Sequence, residues 1–131
     1  MVTIPAPESL STFPAGDTTY QLHIRIESDV TIQVGALGKQ EFAAGNYIYT
    51  GSARRNLPAR IRRHLGREKR LRWHIDYLLA DPHVQITGVV TSTREECDWN
   101  QSVQGTAPVP RFGASDCRSG CGAHLRYLGP L

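Results

Sequence analysis

The sequence predicts a small single-domain α/β (α+β) fold, with a mostly antiparallel sheet flanked by about three helices. Three observations carry this. Tyr20, Leu22, Ile24 and Ile26 alternate with Gln21, His23 and Arg25, the two-residue period of a half-buried strand. Leu57, Ile61 and Leu65 recur every fourth residue, the apolar stripe of a helix. Strand-like and helix-like segments then follow in the order ββ-β-α-α-β-α, which suits a sandwich around one core in a chain of 131 residues.

Each element has its own signal. Residues 1–16 hold Pro5, Pro7 and Pro14 and read as an irregular leader to a domain spanning 17–131. After the strand 19–26, Ser28-Asp29 make a turn and VTIQVGAL reads as the second strand of a hairpin. Gly45 and Asn46 mark a turn before the strand YIYT, which stops at Gly51. Asn56 is a good helix N-cap with Pro58 tolerated in the first turn, and Gly66 is the expected left-handed C-cap after Leu65. A second helix spans about 72–80 and ends at Asp81-Pro82. The strand HVQITGVVTS follows, then a third helix opening on a capping box from Thr93 to Glu96 and closing at Gly105. The Pro/Gly-rich remainder offers one short strand, HLRYL.

Charge distribution says more than net charge, which is a mild +3. Nine of the fifteen Lys/Arg residues lie between positions 54 and 72, against the single acid Glu68. Arg54, Arg55, Arg62, Arg63, Arg67, Lys69, Arg70 and Arg72 are the candidates for nucleic-acid binding, since a dense positive surface is what a phosphate backbone requires. The competing reading is a solvated helix face. No apolar run approaches the ~18 residues of a membrane span, and the start lacks a signal-peptide pattern, so a cytoplasmic protein without a membrane partner is expected. Three cysteines do not close a disulfide framework and read as buried thiols in a reducing compartment.

Several strings carry a resemblance. Thr18-Thr19-Tyr20, Tyr49-Thr50-Gly51, the run GSA-x3-L-x2-RI-x2-H from Gly51 to His64, WHIDYLL at 73–79, Glu96-Cys97 and FGASDC…HL at 112–125 together resemble the GIY-YIG nuclease superfamily. The longer strings resemble a small subfamily sometimes fused to endonuclease III glycosylases. The similarity covers about Tyr20 to Tyr127 and implies a GIY-YIG-like sandwich.

The resemblance implies metal-dependent phosphodiester hydrolysis by in-line attack of water, with DNA favoured over RNA and damaged or branched DNA as substrate classes. One divalent Mg²⁺ or Mn²⁺ ion would be held by a carboxylate, because hard cations prefer oxygen ligands. Glu96 matches the family's metal-binding glutamate, with Glu95 as fallback; the competing reading makes Glu96 a helix-capping acid. Arg60 matches the arginine that steadies transition-state charge. Tyr20 and Tyr49 match the two motif tyrosines, one of which takes or passes on the water's proton, although both also suit half-buried strand positions. His64, four residues after Arg60, can project towards the same place.

Other residues have weaker claims. His74 and Asp76, two apart, cannot share a helix face; Asp76 is expected to meet an arginine of the basic run, and His74 to support the site or face substrate. Trp73 and Tyr77 are expected in the core. Asp116 could add a second carboxylate. Cys97, Cys117, Cys121 and His124 could in principle hold a structural zinc, but the spacing is not that of a finger, and a cysteine-lined core is favoured. Departures from the superfamily pattern are Thr18 in place of the first glycine, a long interval between Tyr20 and Tyr49, and no asparagine at the usual distance after Glu96. The competing function is a non-catalytic nucleic-acid-binding module on the same scaffold.

Overall fold

A computed structural model of the chain describes residues 14, 16–53, 55–66, 71–113 and 123–131. Its main sheet has four antiparallel strands in the order β5-β1-β4-β6. These are β1 (Thr19–Ile26), β4 (Gly45–Ser52), β5 (Val84–Ser92) and β6 (Leu125–Gly129). A separate two-stranded sheet pairs β2 (Val30–Gln33) with β3 (Lys39–Phe42). The helices are α1 (Leu57–Leu65), α2 (His74–Leu79) and α3 (Glu96–Ser102). This is the mixed, mostly antiparallel architecture with three helices that the patterning predicts.

The alternation of β1 puts Tyr20, Leu22, Ile24 and Ile26 into the core, each at most 1% exposed. Leu57 and Ile61 of α1 and Ile75 and Leu78 of α2 pack into the same cluster. Burying this shared apolar surface is the main stabilising term of a fold this size.

Five local expectations are corrected. The segment 30–37 does not pair with β1, because β1 is bonded along its whole length to β4 on one side and β5 on the other. Its partner is β3, whose sequence KQEF is too polar to read as a strand, and residues 35–37 form a 3-10 turn instead of continuing β2. Gly66 is not a left-handed cap; its φ of −71° is extended, while the left-handed residue stands at the other end, Asn56 with φ 53°, whose side chain accepts from the Ala59 amide. The third helix begins at Glu96 and not at Thr93, because Glu95 is the N-cap and its carboxylate accepts from the Cys97 and Asp98 amides. It ends at Ser102, short of Gly105.

Two features were not foreseen. Val109 and Phe112, in the stretch read as an irregular tail, are buried, and the Phe112 ring meets Phe42, Tyr49 and His74. The strand β5 also carries a β-bulge. Its pairing with β1 slips between His23 and Ile24, so that Gly88 opposes one and Ile86 the other, leaving Thr87 over. No helix among the described residues is long and apolar enough to cross a membrane.

Gly51 is the residue where the absence of a side chain decides most. It lies opposite Tyr20, and a Cβ there would come within 2.5 Å of the Tyr20 hydroxyl and 2.6 Å of the ring carbon bearing it. The ring of Tyr20 crosses β4 through that gap and cannot retreat, being 1% exposed. Gly51→Ala is expected to destabilise the fold by about 1–3 kcal/mol in urea denaturation, the usual cost of overpacking a filled core.

Candidate active site

Strand β1 brings Tyr20 across Gly51 to the first helix. The Tyr20 hydroxyl lies 2.6 Å from His64 Nε2. The rings of Tyr20, Tyr49 and His64 stand 5.3–6.5 Å apart. Arg60 is one turn earlier on α1, so it reaches the same place; its Nη1 donates to the Ser52 carbonyl at 3.0 Å, and it also hydrogen-bonds the Tyr20 hydroxyl.

Glu96 arrives from the other side. Capping by Glu95 leaves Glu96 in the first turn of α3, free of the helix end. Its carboxylate accepts from the Ser52 hydroxyl and, at 2.5 Å, from His124 Nδ1. The same nitrogen lies 3.2 Å from the Thr50 carbonyl. Both neighbours are acceptors, so Nδ1 must carry a proton. Ser52 therefore joins the two charges, its carbonyl to Arg60 and its hydroxyl to Glu96.

The electrostatics follow from burial and these partners. Burial pushes the Tyr20 hydroxyl well above its ordinary range, with the charge and hydrogen bond of Arg60 acting against it. Burial pushes Tyr49 up strongly too, reinforced by Tyr20 and Glu96. Burial also pushes Glu96 upwards, but the hydrogen bonds from His124 and Ser52, with the charges of His124 and Arg60, hold its carboxyl below the usual value. Glu96 is thus a carboxylate and Tyr20 a protonated phenol. Since Arg60 can only donate, His64 Nε2 is the acceptor available to the Tyr20 proton.

Glu96, with a side chain 25% exposed, and the half-buried Arg60 are the accessible members; Tyr20 and Tyr49 form the layer beneath. A single ionised carboxylate suits a hard cation such as Mg²⁺, which keeps several waters and takes one or two protein oxygens. The His124 proton orients that carboxylate.

WHIDYLL divides its labour. Asp76, fully buried, takes both Nη groups of Arg63, at 2.7 and 2.9 Å, so the expected arginine partner is Arg63. Trp73 and Tyr77 are partly buried and pack against the core as expected, and guanidinium groups also lie over the Trp73 ring. His74 Nδ1 accepts from the Gly113 amide at 2.9 Å, and burial lowers its pKa. It thereby holds the turn at Gly113, where any Cβ would be 2.8 Å from the Tyr49 ring, against that tyrosine.

Among the basic residues, Arg55, Arg62 and Arg72 are exposed, whereas Arg63 is committed to Asp76. Arg54, Arg67, Lys69, Arg70, Asp116, Cys117 and Cys121 lie outside the described residues. Cys97 is buried and disulfide-bonded, not the free thiol expected, and its sulfur is 4.0 Å from His124 Nε2. No group of three or more His, Cys, Asp or Glu side chains placed to hold a metal occurs among the described residues. Ser52 and His124 are the site residues that sequence reasoning missed as such. Each sits inside a string that had been singled out, GSA and FGASDC…HL, yet neither residue type announces that it will bind a carboxylate.

Fold and site together define a small α+β domain in which an arginine and a carboxylate meet over a buried Tyr–His pair. The chain belongs to the family described as domain of unknown function DUF123, whose model matches residues 19–130. No curated protein and no solved structure matches the chain.

Asp76 and Glu96 both have folded-state values below their ordinary 3.8 and 4.5. For Asp76, burial opposes this and the hydrogen bonds from Arg63, Trp73 and Arg72 override it. The stability they contribute is therefore complete above those ordinary values and is lost as pH falls through the lower folded ones. Acid titration of urea stability should show that loss, and Asp76→Ala should abolish much of it while costing about 3 kcal/mol at neutral pH, as for a buried pair deprived of one partner.

Proposed function

We propose that the protein is a divalent-metal-dependent endonuclease of the GIY-YIG type that hydrolyses DNA phosphodiester bonds, with damaged or branched repair substrates the first to screen. The observation that carries this reading is the meeting of Arg60 and Glu96 at Ser52, directly above Tyr20 and His64. A phosphate seated there meets a guanidinium on one side and an ionised carboxylate on the other. Glu96 would hold Mg²⁺ or Mn²⁺, which when bound neutralises phosphate charge and acidifies water. The exposed Arg55, Arg62 and Arg72 support backbone binding beside the site.

Arg60 stabilises the charge that gathers on the phosphoryl oxygens as water attacks in line. Neither tyrosine is a phenolate, so neither is a base by itself. Tyr20 passes its own proton to His64 Nε2 while accepting one from the attacking water, a relay that leaves the tyrosine neutral throughout. His64, buried against Tyr20, is thus the proton's destination. The departing sugar oxygen is protonated from solvent on the open side.

A second reading, a nucleic-acid-binding module without catalysis, is favoured by the depth of Tyr20, 1% exposed. One experiment separates the two. Nicking of single-stranded, duplex and branched DNA, with RNA as a parallel arm, is measured with Mg²⁺ or Mn²⁺. Arg60→Ala and Glu96→Gln are expected to lower cleavage by about 10²–10³-fold, as for loss of a transition-state donor. Binding by gel shift should change little and weaken steeply with salt for every variant. Binding without cleavage by the unmutated chain on all substrates would replace the nuclease with the binding module.

A further inference from the structure

We infer that Trp73 is a positioning residue for Arg60, held in place by the Asp76–Arg63 pair, and that this is the task of the WHIDYLL segment. The role rests on the nuclease reading above and deepens it. Asp76 accepts four donors: Arg63 Nη1 and Nη2, the Arg72 amide at 2.9 Å and the Trp73 amide at 2.8 Å. Two of these pin the backbone that carries the indole, and two pin α1, so the carboxylate sets the ring relative to the helix bearing Arg60.

The ring then gathers cations. Arg63 Cζ is 4.1 Å and Arg60 Cζ 4.4 Å from its centroid, with Arg72 at 5.6 Å. The negative face of an indole attracts a guanidinium and accepts its plane in stacking. Arg63 is neutralised by Asp76, whereas Arg60 goes on to the Ser52 carbonyl and the Tyr20 hydroxyl. An arginine on a free helix face would sample many rotamers; with the ring beneath it and two oxygens ahead, Arg60 is held in one. The indole also stands 6.0 Å from the His64 ring, so it borders both halves of the cluster. An aliphatic residue could fill the same space but offers no face to a cation.

The test uses the full chain with Trp73→Leu and Trp73→Phe. In the unmutated protein, the Arg60 side-chain protons should show an upfield NMR ring-current shift, absent in Trp73→Leu and retained in Trp73→Phe. In cleavage assays Trp73→Leu should lower kcat on the order of a hundred-fold, the scale of a small misplacement, with KM unchanged. Trp73→Phe should restore most of it. A residue serving packing alone would shift stability and leave the Phe and Leu variants alike in kcat. Unshifted Arg60 protons in the unmutated chain, or full kcat in Trp73→Leu, overturn the assignment; the NMR measurement on the unmutated protein decides it even if Trp73→Leu does not fold. Absence of cleavage by the unmutated chain instead overturns the nuclease reading and leaves the ring-current test standing.

Discussion

The organisation of this domain turns on a charge that has no contact with water. Asp76 is fully buried, and a carboxylate in that position is tolerable only when its oxygens are saturated by donors. Satisfying it requires the guanidinium of α1 and two consecutive amides just ahead of α2 to converge. The requirement is directional, whereas apolar packing between two short helices permits sliding. The buried charge thus converts a loose hydrophobic contact into a fixed one, and the fixed contact frames the arginine-lined side of the site.

The site has two layers. The upper one, Arg60 and Glu96, is partly open and carries opposite charges; the lower one, Tyr20, Tyr49 and His64, is buried. Ser52 is the seam between the charged residues, and it sits on the strand whose neighbouring glycine lets Tyr20 through. One strand end therefore supplies both the connection between the charges and the opening for the tyrosine. The residues come from β1, β4, α1 and α3, with His124 leading into β6, so the arrangement exists only in the folded chain.

Much of the fold was legible because its signals are local. The alternation in β1 gives the strand its observed bounds, and the four-residue spacing in α1 gives the helix and its buried stripe. The element that escaped, β3, forms because β2 is left without a place in the main sheet, and no property of KQEF itself expresses that. The capping of α3 was misassigned by two positions, since Thr93 and Glu95 both have capping chemistry and only the geometry selects one. For the site, residue type and spacing could nominate Tyr20, Arg60, His64 and Glu96. They could not reveal Ser52, whose hydroxyl and carbonyl matter through Glu96 and Arg60, nor which arginine of the basic run Asp76 would take, leaving Arg60 to Ser52 and Tyr20. Long-range pairing is a tertiary fact, and no local period encodes it.

The surplus residue at Thr87 reaches well beyond its own strand. Before it, Val84 and Ile86 align with Ile26 and Ile24; after it, Val89 aligns with Leu22 and Thr91 with Tyr20. Inward-facing positions change from even to odd numbers, a half-step in phase. The Ser92 carbonyl then meets the Thr18 amide, and only four residues later α3 begins. The bulge therefore works as a timing device: it fixes the rotation at which the chain leaves the sheet, and with it the direction in which the Glu96 carboxylate is delivered.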